Sequence, residues 1–208
     1  MNSKFAAAAI ATLLVTAAHA ASIDMNDPRR SVGREDDVRI DAQLITDTVS
    51  AGSPVGVTWQ IQNFTDAAVA VATRVVAASY DEDSRTITLA IGSEVPQDGN
   101  MPAMVLVAPG EKKVFRASAT PAMNAATART LGGVPRYVQV KVSILRDLEP
   151  FIALIRSQVP NAKPQQLSDE LFERWFESTD TIFLNSLPVQ WSAKAQKVID
   201  VEQRSARF

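Results

Sequence analysis

The sequence contains no cysteine and a single histidine, and both absences limit its chemistry. Without cysteine the chain forms no disulfide, has no thiolate nucleophile, and lacks the acylated residue that anchors bacterial lipoproteins. The histidine, His19, lies in a segment that we expect to be removed on export. The remaining chain then cannot build a Ser-His-Asp or Cys-His site, or a zinc site of His and Cys ligands. We assign no catalytic residue and expect no cofactor.

Residues 1–20 have the composition of a secretory signal peptide. Lys4 supplies a positive charge, an apolar stretch follows it, and Ala18-His19-Ala20 places small residues at a cleavage site. The apolar stretch is shorter than the roughly 20 residues of a spanning helix, and the later apolar runs are shorter still. We therefore predict an exported protein without a transmembrane span or lipid anchor. The periplasm is the favoured compartment, and secretion is the alternative.

The charge balance bears on the class of partner. Removal of the leader takes Lys4 from the 21 basic residues and leaves the 23 acidic residues, for a formal charge of about −3. Because nucleic-acid binding demands a strongly basic surface, we expect no nucleic-acid partner. The expected partner is another exported or envelope protein.

A change of hydrophobic pattern divides the mature chain. Polar residues without periodicity fill 21–37, which we interpret as a flexible N-terminal segment. From residue 38 apolar and polar residues alternate, most clearly over 55–62, as in half-buried strands. Turn sequences such as Pro109-Gly110-Glu111 separate further strand candidates, which are 38–44, 68–78, 85–92, 103–107, 113–120, 136–145, 181–184 and 187–192. The spacing predicts a mainly β fold with antiparallel sheets.

A period of about 3.6 residues replaces the alternation over about 148–178, which predicts two helices before the last strands. Ser168 is the expected N-cap of the second helix. One face of that helix carries a hydrophobic stripe of Leu171, Phe172, Trp175 and Phe176. Burial in the core is the favoured interpretation of the stripe. The alternative is an exposed patch that binds a partner.

The acidic turn Asp81-Glu82-Asp83 concentrates carboxylate oxygens, the ligands that calcium prefers. Its spacing does not match an EF-hand loop. A solvated turn between strands is the favoured interpretation, with calcium binding as the alternative.

The stretch 49–63, VSAGSPVGVTWQIQN, resembles the first hairpin of bacterial immunoglobulin-like sandwiches, in which a Gly/Pro turn feeds a strand that ends in an Asn-containing turn. The likeness continues to residue 145 as a strand rhythm. It implies an antiparallel immunoglobulin-like β-sandwich over 38–192, with the helical insertion before its last strands and a C-terminal tail over 193–208. Such domains serve as adhesion, inhibitor, chaperone and enzyme-accessory modules, so the likeness implies a scaffold and leaves the function open.

Because the sequence has a scaffold and no catalytic constellation, we expect a non-enzymatic binding or envelope-associated interaction module. One alternative is a proteinase inhibitor that presents loop 96–102 or loop 124–135 to a protease. Another is a carboxylate-dependent hydrolase acting on polysaccharide, with Asp81 and Asp83 as a candidate acid pair.

Overall fold

The computed structural model describes residues 23–27, 29–96, 99–123, 133–159 and 165–192. The predicted leader, the C-terminal tail, residues 97 and 98 of one candidate inhibitor loop and residues 124–132 of the other lie outside the described residues. Across the described ranges, no helix has the length and apolar character needed to cross a membrane.

The described chain is mainly β, as predicted, with two helices placed between late strands. The strands are β1 Arg30–Glu35, β2 Val38–Leu44, β3 Thr48–Val49, β4 Val55–Asn63, β5 Val69–Ala72, β6 Val75–Asp81, β7 Thr86–Ile91, β8 Met104–Val107, β9 Lys112–Ala119, β10 Tyr137–Leu145, β11 Thr179–Phe183, β12 Leu187–Pro188 and β13 Gln190–Trp191. The helices are α1 Ile152–Ser157 and α2 Asp169–Ser178.

The first sheet has the order β1-β2-β4-β9 and is antiparallel throughout. Its alternating apolar residues point to one side, as expected for strands with one buried face. Trp59, in the middle of β4, lies opposite Phe115 of β9 and is fully buried. The two rings stack with centroids 4.6 Å apart. The first sheet therefore contributes one continuous apolar face to the core.

Strand β1 differs from the flexible segment that the sequence predicts over 21–37. It pairs with β2 along its whole length through a tight turn at Asp36 and Asp37. Both turn residues have positive φ, 40° and 61°, the conformation of a two-residue hairpin turn that continues the strand twist. The alternation is hidden in the sequence because the inward-facing positions of β1 are Ser31, Gly33 and Glu35, none of them a large apolar residue.

The second sheet has the order β6-β7-β10-β5-β8, and β11 and β12 pair with β10. Ile144 of β10 lies opposite Val71 on one side and Asp180 on the other, so β10 is a central strand. The pairings confirm antiparallel sheets with one exception here: β7 and β10 run parallel. The chain leaves β7, forms β8 and β9, and returns to β10, and such a crossover is what a parallel pair requires. A short parallel pair, β13 with β3, lies outside both sheets.

One hydrophobic core joins the two sheets and the helices. It includes Trp59 and Ile61 from the first sheet, Val140 from the second, and Phe151 and Trp175 from the helical insertion. The N-cap prediction for α2 is confirmed. The Ser168 hydroxyl accepts a hydrogen bond of 3.3 Å from the Leu171 backbone N–H.

Candidate functional site

An open cleft of about 520 Å³ lies on the side of the second sheet that faces away from the core. Strands β6, β7, β10 and β11 form its floor, and the turn after β7 forms one wall. Inward positions such as Leu89 and Val140 are fully buried, so the alternate positions carry the side chains that the cleft exposes. The cleft is thus a direct product of the strand alternation.

Strand register determines which cleft residues are neighbours. One row across the four strands consists of Ala77, Ala90, Lys141 and Phe183. The next row consists of Ser79, Thr88 and Gln139. The alanines leave space beside the long Lys141 side chain, so the floor is hollow there.

Lys141 is the cationic side chain that lines the cleft. Its Nζ lies 5.7 Å from the ring centroid of Phe183, within range of a cation–π contact. It forms no ion pair with any residue that the structure describes. Phe183 itself is 56% exposed. The cleft therefore places a cation without a counter-ion beside an exposed aromatic ring.

Hydroxyl and amide groups surround this pair. The Oγ of the buried Ser143 lies 3.5 Å from the Oγ1 of Thr181 on the neighbouring strand. The Gln139 Nε2 donates to the Leu184 backbone oxygen over 3.3 Å, which holds that amide in place. These groups give the cleft hydrogen-bonding capacity on either side of Lys141 along β10.

The turn after β7, which forms the wall of the cleft, is held in place by a close contact at Gly92 and a hydrogen bond at Ser93. Gly92 has a φ of 80°, and a Cβ there would lie 2.3 Å from the Cβ of Ala72, so only glycine fits. The next residue, Ser93, accepts a hydrogen bond of 3.3 Å from Trp175 Nε1 through its backbone oxygen. Val95, two residues on, is mainly exposed at the cleft. Helix α2 thereby fixes the position of the wall.

The hydrophobic stripe on α2 divides by burial. Trp175 is fully buried, with its ring edge-on to Phe151 at 5.6 Å. Leu171 and Phe172 are half-buried against the core. Phe176 is 46% exposed and contacts Phe172 edge-on. Of the four predicted partner-binding residues, Phe176 offers the most accessible surface, while Trp175 supports the cleft wall from inside.

In the acidic turn between β6 and β7, one carboxylate accepts hydrogen bonds from within the turn. Asp81 accepts hydrogen bonds from the Ser84 hydroxyl at 2.7 Å and the Asp83 backbone N–H at 3.0 Å. These bonds hold the pKa of Asp81 below its usual range, and the bond from the Ser84 side chain has the largest effect. Glu82 and Asp83 are exposed. Within the described ranges, no group of three or more His, Cys, Asp or Glu side chains is placed to hold a metal ion.

The cleft differs from the sites that sequence reasoning singled out. Glu94 is the one carboxylate among the residues that line it, so the cleft does not present the acid pair of a glycoside hydrolase. Lys141 and Phe183 were missed as candidates. The sequence predicts that each of them lies in a strand. Their proximity depends on the pairing of β10 with β11, which the sequence does not show.

Compared with known proteins, the chain matches no family model and no curated protein.

Proposed function

We propose that this chain is an exported, non-enzymatic binding protein that holds a segment of another exported or envelope protein in the cleft. The observation that carries the proposal is Lys141, a half-buried lysine without an ion pair to any described residue, beside the exposed Phe183 and a floor of small side chains. A charge without a partner in a cleft is matched by a ligand of opposite charge. An acidic side chain of the partner fits Lys141, and apolar side chains fit Phe183 and Val95.

The open shape of the cleft supports a protein segment as the ligand. Small-molecule sites are usually enclosed pockets that bury most of the ligand. This cleft instead lies open across four strands, with apolar side chains at Phe183 on β11 and at Val95 in the wall. An extended segment that carries an acidic residue and apolar residues matches that lining.

The scaffold that we propose is the immunoglobulin-like sandwich. Two sheets that share one core support it, and so does the hairpin sequence around Trp59. The leader composition supports export. A site built on strands holds its side chains in fixed positions, and such preorganisation lowers the cost of binding.

The experiment is recovery of a partner by the purified protein from the exported fraction of the source cells. Lys141→Ala and Phe183→Ala should each lower recovery of that partner by about tenfold or more, the effect of truncating an interface anchor. Arg156→Ala and Phe64→Ala are matched controls, since both residues are exposed and lie outside the cleft. Circular dichroism establishes that all four variants are folded.

The outcomes separate the cleft from the exposed part of α2. Loss of the partner in Phe176→Ser with full recovery in both cleft variants would move the site to α2. Equal loss in cleft and control variants, or turnover of a substrate by the purified protein, would overturn the proposal.

A further inference from the structure

A second surface lies on the outer side of the first sheet and differs in charge from the whole chain, whose net charge is −2. It is formed by the side chains of β1, β2, β4 and β9 that point away from the core. We call it the basic face; its cations are Arg30, Arg34, Arg39, Lys112 and Arg116. Asp41 is the one carboxylate among the outward positions of these four strands.

The register spreads these cations in two dimensions. Arg34, Arg39 and Lys112 lie in one row across the sheet, and Arg30 and Arg116 lie in another. The rows are four residues apart along the strands, about 13 Å, and each extends over three strand spacings, about 14 Å. Cations therefore occupy the four corners of a nearly square plane.

Most acidic groups on this side are bound to arginines. The buried Asp41 accepts from Arg39 at 3.0 Å, and Arg34 pairs with Asp37 at 2.6 Å. In the segment before β1, Asp27 accepts from Arg29 at 2.6 Å. The hydrogen bond from the Arg29 side chain is the largest of several causes that lower the pKa of Asp27 to about 2.

Positive charge remains at the β9 edge of the face. Lys112 and Arg116 are exposed, and neither pairs with an acidic side chain of the described ranges. Asp24, in the N-terminal segment, is the exposed carboxylate on this side without an arginine partner among the described ion pairs. The face thus keeps more free cations than free anions.

Met25 adds an apolar group to the basic face. Its sulfur lies 3.2 Å from Arg30 Nη1 and 3.9 Å from Gln60 Nε2, over the middle of the sheet. The side chain is 44% exposed. An exposed apolar side chain on a basic surface is the combination found at surfaces that rest in a membrane interface.

We propose that the basic face docks on the surface of a membrane that contains anionic phospholipids. The five cations extend about 14 Å in both directions, as a plane of headgroups does, and the two without a carboxylate partner among the described ion pairs, Lys112 and Arg116, lie at its β9 edge. The surrounding negative charge of the chain orients this face toward an anionic surface. The inference is independent of what binds in the cleft.

The test is sedimentation with vesicles of phosphatidylcholine alone or with added phosphatidylglycerol, using the purified exported protein with its N-terminus determined by mass spectrometry. We expect binding to the anionic vesicles alone and its loss in high salt, which screens such charges. Lys112→Glu with Arg116→Glu should lower the binding constant by at least about tenfold. Arg74→Glu with Arg136→Glu makes the same charge change elsewhere and should retain binding.

Three results would overturn the proposal. One is equal binding to neutral and anionic vesicles. Another is an equal loss in the two double variants, since both should remain folded by circular dichroism. The third is no binding to either kind of vesicle, and retention on heparin that depends on Lys112 and Arg116 would then assign the face to an anionic polysaccharide.

Discussion

Gly33 of β1 lies against β11, where the edges of the two sheets approach each other. A Cβ on this residue would be 2.7 Å from Ile182 Cγ2 and 2.9 Å from the Phe183 backbone oxygen, both in β11. At the same contact, the Ser31 hydroxyl donates to the Asn185 backbone oxygen. The absence of a side chain at residue 33 therefore sets the distance between β1 and β11.

Gly33→Ala should lower the free energy of unfolding by about 1–3 kcal/mol, because the new methyl group meets backbone that cannot move away locally. Gly56→Ala is the matched control in the same sheet. Its Cβ would meet the Cδ1 of Ile45 at 2.9 Å, and that exposed side chain can rotate. Urea unfolding measures both changes. Equal destabilisation by the two variants would contradict this account of Gly33.

At the scale of elements, β8 is an edge strand with side chains bound to outward-pointing backbone N–H groups near both of its ends. Thr73 N–H donates to the Ala103 oxygen at 3.0 Å, which continues the β5–β8 register. The even-numbered residues of β8 therefore point their N–H groups to the open edge. Met104 N–H donates to Gln158 Oε1, and Ala108, the residue directly after β8, donates to Glu111 Oε2, each at 2.8 Å. Such blocking protects an edge from pairing with another chain.

Removal of either side chain should expose the amide that it binds. We expect amide exchange at Met104 to accelerate about two- to tenfold in Gln158→Ala with no change at Ala108, and the reverse in Glu111→Ala. Each variant is the other's control. Acceleration at both amides in either variant would mean that the edge opens as a unit.

The two side chains also differ in their response to acid. The pKa of Glu111 lies below its usual range, and the hydrogen bond from the Ala108 backbone N–H is the largest cause. Its stabilising effect is therefore complete above the unfolded pKa and is lost as the pH falls through the lower folded value. Protection of Ala108 should fall in acid relative to Met104, whose partner Gln158 does not titrate. A constant ratio of the two protection factors across that range would contradict the role given to Glu111.

Elements with one apolar face could be predicted from the sequence, whereas contacts between distant strands could not. Strand β4 and the Ser168 N-cap follow from local alternation and capping chemistry. Strand β1 was missed because Gly33 replaces a large inward side chain. The cleft was missed because Lys141 and Phe183 are brought together by a pairing across the whole helical insertion, which no local pattern records.

At the scale of the whole molecule, the shared core places the two candidate surfaces on opposite sides. The basic face lies outside the first sheet, and the cleft lies outside the second. If the basic face rests on a membrane, the cleft with Lys141 opens away from that membrane. A partner could then reach the cleft without displacing the protein from the lipid.

The same shared core predicts that the described domain unfolds as one unit. Trp59 in the first sheet and Trp175 in the helical insertion belong to one buried cluster, so neither can lose its packing without exposing the other's neighbours. Labelling with fluorotryptophan gives each of the three tryptophans its own NMR signal. The native signals of Trp59 and Trp175 should disappear at the same urea concentration, as expected for two-state unfolding. An earlier loss at Trp175 would show that the insertion unfolds separately, and the wall of the cleft would then be the least stable part of the site because Trp175 holds Ser93 in place.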